Sequence, residues 1–173
     1  MLRISQGPGY RRKMDNDAKV IWITGLSGAG KTTIAKNMQD ILRGQGVNVV
    51  VLDGDQIRHV VGDKNCGHDR ANRVINAFRI CRCAKMITEQ GFIVIVATMS
   101  LYHEVHEWNR ENLPGYHEIF LDVDMETLRK RDSKGYYKKA DLGAIDNLAG
   151  VSLDVEFPKE PDLVIENNDD IET

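Results

Sequence analysis

The hydrophobic positions fall into short apolar runs that alternate with longer segments of helical periodicity. The runs predict five buried strands over residues 20–24, 48–52, 92–97, 117–123 and 162–166. The segments between them space apolar side chains three and four positions apart, and predict helices over 31–44, 69–90, 101–112 and 125–132. Strands that are apolar on both faces and alternate with helices are typical of a parallel sheet covered on both sides. The pattern therefore predicts a three-layer α/β domain with a five-stranded parallel sheet.

Composition narrows the class of protein. The 173 residues are 42% hydrophobic and 28% charged, which fits one globular domain. No run approaches the roughly 18 apolar residues of a membrane helix, so no membrane partner is expected. The net charge of −3 argues against a nucleic-acid binder, whose pI is usually above about 9. Three cysteines without a CxxC pair favour a reducing compartment, and we expect a cytoplasmic protein.

The two ends of the chain differ in charge from its centre. Residues 1–19 carry five basic and two acidic side chains without periodicity, and predict a flexible basic arm. A targeting peptide is the alternative, although no apolar run follows these charges. Residues 20–166 form the predicted domain, and 167–173 are predicted to be an acidic, solvated tail.

A glycine-rich segment between the first predicted strand and helix carries the strongest chemistry. Residues 25–32 match the pattern GxxxxGK[ST], whose backbone N–H groups wrap phosphates at a helix N-terminus. Lys31 would reach the β- and γ-phosphates, and the Thr32 hydroxyl would bind Mg²⁺. The predicted ATP-binding residues are Gly25, Ser27, Gly28, Ala29, Gly30, Lys31, Thr32 and Thr33.

A carboxylate beside the metal is the usual second feature of such a site. The third predicted strand runs into Thr98-Met99-Ser100 and supplies no acid, whereas the second is followed by Asp53 and Asp55. We expect Asp53 to serve the metal shell and Asp55 the acceptor hydroxyl. A GTPase is disfavoured, because the chain has no NKxD-like segment and no DxxG switch after the third strand.

A basic, aromatic and glycine-containing stretch over residues 131–139 predicts a lid. Phosphoryl transfer depends on positioning and charge neutralisation, so a mobile cationic flap over the nucleotide has a clear use. The pair His103 and His106 lacks the HExxH spacing of a zinc helix, and a helix face at the rim of a pocket is the preferred interpretation.

Together these segments resemble the adenylylsulfate kinases from about Val20 to Ile165. The resemblance rests on residues 22–33, on Leu52-Asp53-Gly54-Asp55 with Arg58, on Arg73-Val74-Ile75-Asn76 with Arg79, on residues 131–140 (like the family's RDPKGLYKKA lid) and on Asn147-Leu148-Ala149-Gly150 (like its NFTG segment). It implies a P-loop kinase that uses ATP to phosphorylate the ribose 3′-hydroxyl of a nucleotide carrying a 5′-phosphosulfate. It also implies a homodimer.

The resemblance assigns roles to individual positions. Asp55 matches the base or orienting group for the acceptor hydroxyl, with Lys31 and Lys134 as further catalytic residues. Mg²⁺ would be held by Thr32, with Asp53 nearby. The implied substrate-binding residues are Asp53, Arg58, His68, Arg73, Asn76, Met99, Ser100, Lys134 and Lys139.

The residues that differ from the family pattern lie mostly in the half of the predicted site that would bind the acceptor nucleotide, called the acceptor half below. The two aromatic rings expected around the substrate base are replaced by His68 and Val155, and the ISP turn reads Met99-Ser100-Leu101. The helix over 102–112 also differs, and it offers Trp108 and Asn109 as lining residues. This pattern is similar to an offshoot of the family that phosphorylates a cytidine 5′-diphosphoramidate in capsule biosynthesis. Adenylyl sulfate is the first predicted acceptor, the cytidine nucleotide the second, and a non-catalytic nucleotide-binding module is the alternative of another class.

Overall fold

One mixed sheet organises the domain. The computed structural model describes residues 3–6 (backbone), 20–62, 67, 69–132 and 134–168. Its strands are β1 (Arg3–Gln6), β2 (Val20–Thr24), β3 (Val49–Asp53), β4 (Ile93–Ala97), β5 (Tyr116–Asp122) and β6 (Leu163–Glu166). They lie in the order β1-β6-β5-β2-β4-β3, and β2 to β6 are mutually parallel. The predicted five-stranded parallel sheet is confirmed.

The sixth strand comes from the segment that was expected to be a flexible arm. Arg3 to Gln6 pair antiparallel with Glu166 to Leu163 of β6. An outer parallel strand leaves one row of backbone N–H and C=O groups unpaired, and an added strand satisfies them. Four residues are too short a run to show an alternating pattern. The rest of the predicted arm, residues 1–2 and 7–19, lies outside the described residues.

Six helices connect the strands in the described part of the chain. They are α1 (Lys31–Gly44), α2 (Gly54–Val61), α3 (Arg70–Thr88), α4 (His103–Asn112), α5 (Met125–Arg131) and α6 (Tyr136–Asp141). The four predicted helices are present with ends shifted by at most two residues. The short helices α2 and α6 were not predicted. No helix that the structure describes is both long enough and apolar enough to cross a bilayer.

Alternate residues of each strand divide the core between the two faces of the sheet. Ile21 and Ile23 pack in one cluster with residues of α1 and α5. Val20 and Trp22 point the other way and pack with residues of α3 and α4. All five residues of β2 are buried, because helices cover both faces. The central strand is thereby fixed from both sides, and so is the loop that follows it.

This topology gathers three loops at one edge of the sheet. The glycine-rich loop follows β2, the Asp53-Gly54-Asp55 turn follows β3, and residues 98–102 follow β4. The strands β4 and β5 lie on opposite sides of β2, which makes the end of β2 a switch point. Open α/β sheets bind their ligands at the carboxyl ends of strands beside such a point.

Candidate active site

A cleft of about 920 Å³ opens at the carboxyl ends of the strands. It is lined by the glycine-rich loop, the turn after β3, the turn after β4, one side of α3, residues 145–148 and four residues of the predicted lid, Arg131, Lys134, Tyr136 and Lys139. Every described residue of the predicted site lines it except Gly25 and Ala29, which shape the loop from behind. His68 lies outside the described residues. Residues that are far apart in sequence are therefore brought into one cavity of nucleotide size.

The glycine-rich loop is held in shape by contacts behind it. Gly25 has a φ of +148°, and a Cβ there would lie only 2.8 Å from the carbonyl oxygen of Leu121. Asn167 donates a 3.0 Å hydrogen bond from its side-chain amide to the carbonyl of Ala29, and the same amide lies against Gly30. Asn167 belongs to the segment predicted as a solvated tail, and no pattern in the sequence connected it with the loop.

The Lys31 side chain folds over the loop. Its Nζ donates to the carbonyl oxygens of Gly25 at 2.8 Å and of Leu26 at 2.6 Å. Burial, and next the charge of Lys134, lower the pKa of Lys31 to about 8. This ammonium group lies against the glycine-rich loop at the N-terminus of α1, where an anionic phosphate would be favoured.

Thr32 and Asp53 form a direct pair across the cleft. The Thr32 hydroxyl donates a 2.7 Å hydrogen bond to Oδ2 of Asp53. The other oxygen, Oδ1, accepts the backbone N–H groups of Asp55 at 2.9 Å and Gln56 at 3.3 Å and so caps α2. A hydroxyl and a carboxylate are the hard oxygen donors that Mg²⁺ prefers.

Asp55 forms an ion pair with Lys134 of the lid. Partial burial by itself raises the pKa of Asp55, but the hydrogen bond and charge of Lys134, followed by Arg58 and Lys31, outweigh it and lower the pKa below its usual value. The pair links the loop after β3 to a segment 79 residues later. The carboxylate is therefore kept ionised at the centre of the cleft.

The opposite end of the cleft is rich in guanidinium groups. Arg58 donates to the carbonyl of Gly67 at 3.2 Å, and Arg73 donates to that of Asn147 at 2.9 Å. Burial lowers the pKa of Arg73. Asn76 is buried, and its Oδ1 has no hydrogen-bond partner among the described residues. These groups offer several donors and one free acceptor to an anionic nucleotide.

A tyrosine anchors the lid to the glycine-rich loop. Tyr137 on α6 is 2% exposed, and its hydroxyl donates a 2.8 Å hydrogen bond to the carbonyl of Ser27. Asp132 accepts the backbone N–H groups of Tyr137 and Lys138 and caps the start of α6. The sequence indicated a flap here, but it gave no sign of this anchor.

The structure corrects one expectation about the helix over 102–112. Neither Trp108 nor Asn109 lines the cleft; Trp108 packs edge to face on Phe78 at 6.1 Å, and Asn109 is fully buried. The reason is the rotation of α4, which turns both side chains toward the sheet and α3. Tyr102, just before α4, lines the cleft instead. Among the described residues, no group of three or more His, Cys, Asp and Glu side chains could hold a metal ion.

Comparisons with known proteins agree with this geometry. The family model described as adenylylsulphate kinase matches residues 17–166. A cytidine diphosphoramidate kinase of Campylobacter jejuni is 42% identical over 156 residues, which cover 90% of this chain and 89% of that protein. An adenylyl-sulfate kinase of Bacillus velezensis is 40% identical over 160 residues, 91% of this chain and 81% of the relative.

A solved structure gives the same result for the fold. The Mycobacterium tuberculosis APS kinase CysC, in complex with AMPPNP and APS, superposes with a TM-score of 0.81 at 31% identity. The match covers 89% of this chain and 91% of that one. The chain therefore belongs to the adenylylsulphate kinase family, and it is a phosphotransferase built on the P-loop fold.

Proposed function

We propose that the chain transfers the γ-phosphoryl group of ATP to the ribose 3′-hydroxyl of adenylyl sulfate. The observation that carries the proposal is the single cleft in which the phosphate-binding loop, Asp55 and the guanidinium groups of Arg58 and Arg73 meet. One half has the chemistry for a nucleoside triphosphate, and the other has it for a second anionic nucleotide. A carboxylate lies between them.

In this proposal each half of the cleft binds one nucleotide. The backbone N–H groups of residues 25–32 and the ammonium of Lys31 bind the ATP phosphates. Mg²⁺ would be held by the Thr32 hydroxyl with Asp53 behind it, and when bound it would neutralise charge that develops on the phosphate oxygens. The pair that Thr32 and Asp53 already form fits such an ion.

Asp55 would orient the acceptor hydroxyl and take its proton. Its pKa lies below the usual value, so the group is ionised at neutral pH and ready to accept a hydrogen bond. Phosphoryl transfer has a loose transition state, in which orientation of the attacking oxygen matters more than early deprotonation. Lys134 would hold the carboxylate in place and bring positive charge toward the transferred group.

Arg58 and Arg73 would bind the phosphosulfate of the acceptor, because planar guanidinium groups match tetrahedral anions through paired hydrogen bonds. Asn76 would use its free Oδ1 to accept a hydrogen bond from a donor on the nucleotide. Met99 and Ser100 would form the floor of this half. Lys139 would bind from the lid, whose closure excludes water and prevents wasteful hydrolysis of ATP.

A second acceptor is favoured by one observation. Val155 occupies the position of an expected aromatic ring, and it packs against the core rather than lining the cleft. Stacking on an aromatic ring is worth roughly 1–3 kcal/mol per base, and a pyrimidine loses less than a purine when a ring is absent. A cytidine 5′-diphosphoramidate is therefore the second candidate.

The test is acceptor-dependent ADP formation by the purified protein. We expect turnover with adenylyl sulfate and a new 3′-phosphate in the product by ³¹P NMR. Faster turnover with cytidine diphosphoramidate would transfer the proposal to the second acceptor. Absence of turnover with both, in a protein that binds ATP, would support the non-catalytic nucleotide-binding module and overturn the kinase proposal.

Two further expectations stay predictions: the homodimer that the family resemblance implies and the cytoplasmic location that the cysteine content favours. A homodimer would give twice the chain mass in light scattering, and a cytoplasmic location would be seen by cell fractionation. Neither affects the chemistry of the cleft as described above.

A further inference from the structure

The helix α4 carries a buried histidine that no step of the proposed reaction uses. His106 is 4% exposed, and its Nε2 lies 2.7 Å from the carbonyl oxygen of Ser100. A carbonyl oxygen only accepts, so Nε2 must carry the proton and donate. Ser100 is one of the residues that line the acceptor half of the cleft. The contact thus joins α4 to the turn after β4, which lines the cleft.

The other ring nitrogen, Nδ1, has no hydrogen-bond partner among the described residues. It lies 3.8 Å from Oε1 of Glu118, a fully buried carboxylate. Glu118 accepts hydrogen bonds from Arg110 and from the Tyr116 hydroxyl. Burial lowers the pKa of His106 to about 4, so the ring is neutral at physiological pH. The neutral ring is therefore held against the Ser100 turn by its Nε2 hydrogen bond and by its burial.

The turn that contains Ser100 also contacts the loop that carries Asp55. The Ser100 hydroxyl lies 3.2 Å from that of Thr98. Thr98 in turn packs against Gly54, where an added Cβ would lie 2.8 Å from the Thr98 hydroxyl oxygen. Gly54 separates Asp53 from Asp55. A displacement of the turn would therefore reach the acceptor floor and the loop that carries the proposed base.

We propose that His106 is a positioning residue for the acceptor half, which holds the Ser100 turn against the Asp53-Gly54-Asp55 loop. This inference rests on the proposed function, because it assigns the Ser100 side of the cleft to the acceptor nucleotide. The glycine-rich loop does not depend on the contact, since it is fixed by β2, α1 and Asn167. The residue therefore acts on acceptor use more than on ATP binding, to which the Asp53-Gly54-Asp55 loop connects through the Asp53–Thr32 hydrogen bond.

Two substitutions distinguish the effect of the His106–Ser100 hydrogen bond from the effect of side-chain packing. His106→Leu keeps an apolar body of similar reach but removes the donor and leaves the Ser100 carbonyl unsatisfied. We expect kcat/KM for the acceptor to fall about tenfold, while the Kd for ATP changes less than about twofold. His106→Gln places an amide N–H where the ring donor was, and we expect it to restore most of the loss.

A matched control lies on the next residue of the same helix. Glu107 is exposed and pairs with Lys159 at the surface, so Glu107→Gln should leave acceptor kinetics unchanged. Unchanged acceptor kinetics in His106→Leu would overturn the proposal. It would also be overturned if ATP affinity fell in parallel, because the effect would then be a general loss of structure, or if His106→Gln were as impaired as His106→Leu.

Hydrogen exchange separates this inference from the proposed function. The backbone N–H of Leu101 donates a hydrogen bond to the carbonyl of Met99, so it reports on the turn that contains Ser100. We expect amides of 98–102 to exchange at least tenfold faster in His106→Leu than in the parent protein, without nucleotide present. Equal exchange would refute the positioning role of His106 even if the enzyme phosphorylates adenylyl sulfate. Faster exchange in a protein without kinase activity would refute the proposed function and support the contact between His106 and the turn.

Discussion

At the scale of single residues, the most informative contact joins Asp55 to Lys134. Both side chains are about half exposed or more, at 65% and 48%, so water screens the pair and its contribution to stability is small. Its effect is local, since it sets the position and the charge of the carboxylate. We therefore expect loss of this carboxylate to change catalysis far more than folding.

Replacing Asp55 tests that expectation. Asp55→Asn keeps the shape of the side chain but removes the group that would accept the hydroxyl proton, and kcat should fall by about 10²–10⁴-fold. The Kd for ATP, measured by calorimetry, should stay the same or decrease, because a negative charge near the phosphates is gone. A variant that keeps a tenth or more of the parent turnover would remove Asp55 from the role of base.

Lys31 gives a prediction about pH. Its pKa of about 8 in the free protein should rise when anionic phosphates bind beside it. At pH 8 the free protein is half protonated at this group and the ATP complex fully protonated, so binding should take up about half a proton. Calorimetry in buffers of different ionisation enthalpy measures this uptake. ATP binding should also weaken as the pH rises through 8.

The matched control keeps the charge and removes the titration. Lys31→Arg stays protonated at every accessible pH, so proton uptake at pH 8 should vanish even if affinity falls. Equal uptake by the parent and by Lys31→Arg would show that the proton goes elsewhere, and the prediction for Lys31 would be wrong.

At the scale of elements, the sequence predicted the parts that have a long periodic pattern. Helix α3 has nineteen residues and was found from its apolar spacing. Helix α2 has eight residues, none of them buried, and its three apolar positions, Ile57, Val60 and Val61, span little more than one turn, which is too short to establish a helical period. A capping signal was nevertheless present, because Asp53 is followed three residues later by Gln56. Helix α6 has only six residues and offers neither signal.

In the candidate site, too, local sequence patterns were predictable and contacts between distant segments were not. Local motifs identified the glycine-rich loop, the Asp53-Gly54-Asp55 turn and the basic lid, and the topology of a parallel sheet explains why they meet. Contacts between distant segments could not be predicted. Tyr137 and Ser27 are 110 residues apart, and Asn167 and Ala29 are 138 apart. Such pairs depend on how the helices are rotated and packed, which periodicity alone does not determine.

The anchor between α6 and the glycine-rich loop carries a prediction of its own. Tyr137→Phe keeps the buried ring and removes only the hydroxyl that bonds to Ser27. The free energy of unfolding in urea should fall by about 1 kcal/mol, the usual net value of one hydrogen bond. The Kd for ATP should rise a few-fold, because the hydrogen bond that holds the lid and the glycine-rich loop in their relative positions is lost.

A buried tyrosine outside the cleft provides the control for this effect. The Tyr116 hydroxyl donates a 3.0 Å hydrogen bond to Glu118, so Tyr116→Phe should also lower the unfolding free energy by about 1 kcal/mol but leave the ATP affinity unchanged. Loss of ATP affinity in both variants would show that it follows from general destabilisation, and the anchor would not be its explanation.

At the scale of the whole molecule, the modest net charge of −3 hides an uneven distribution. Positive side chains outnumber carboxylates around the cleft; they are Lys31, Arg58, Arg73, Arg131, Lys134 and Lys139, against Asp53, Asp55 and Asp146. A concave site lined by one sign of charge focuses the electrostatic potential and attracts anions. The acidic surplus must therefore lie on the remaining surface, where it keeps the protein from binding polyanions in general.

Ionic strength tests whether the charge of the cleft, and not that of the whole protein, attracts the substrates. Raising KCl from about 0.05 M to about 0.5 M shortens the screening length to a few ångströms, so KM for the acceptor should rise several-fold with little change in kcat. Arg73→Gln should flatten this salt dependence. Arg82→Gln makes the same change of net charge at an exposed site on α3 outside the cleft, and should leave the slope intact. If both variants reduce the salt dependence of KM equally, the substrates are attracted by the net charge of the protein and not by the local charge of the cleft.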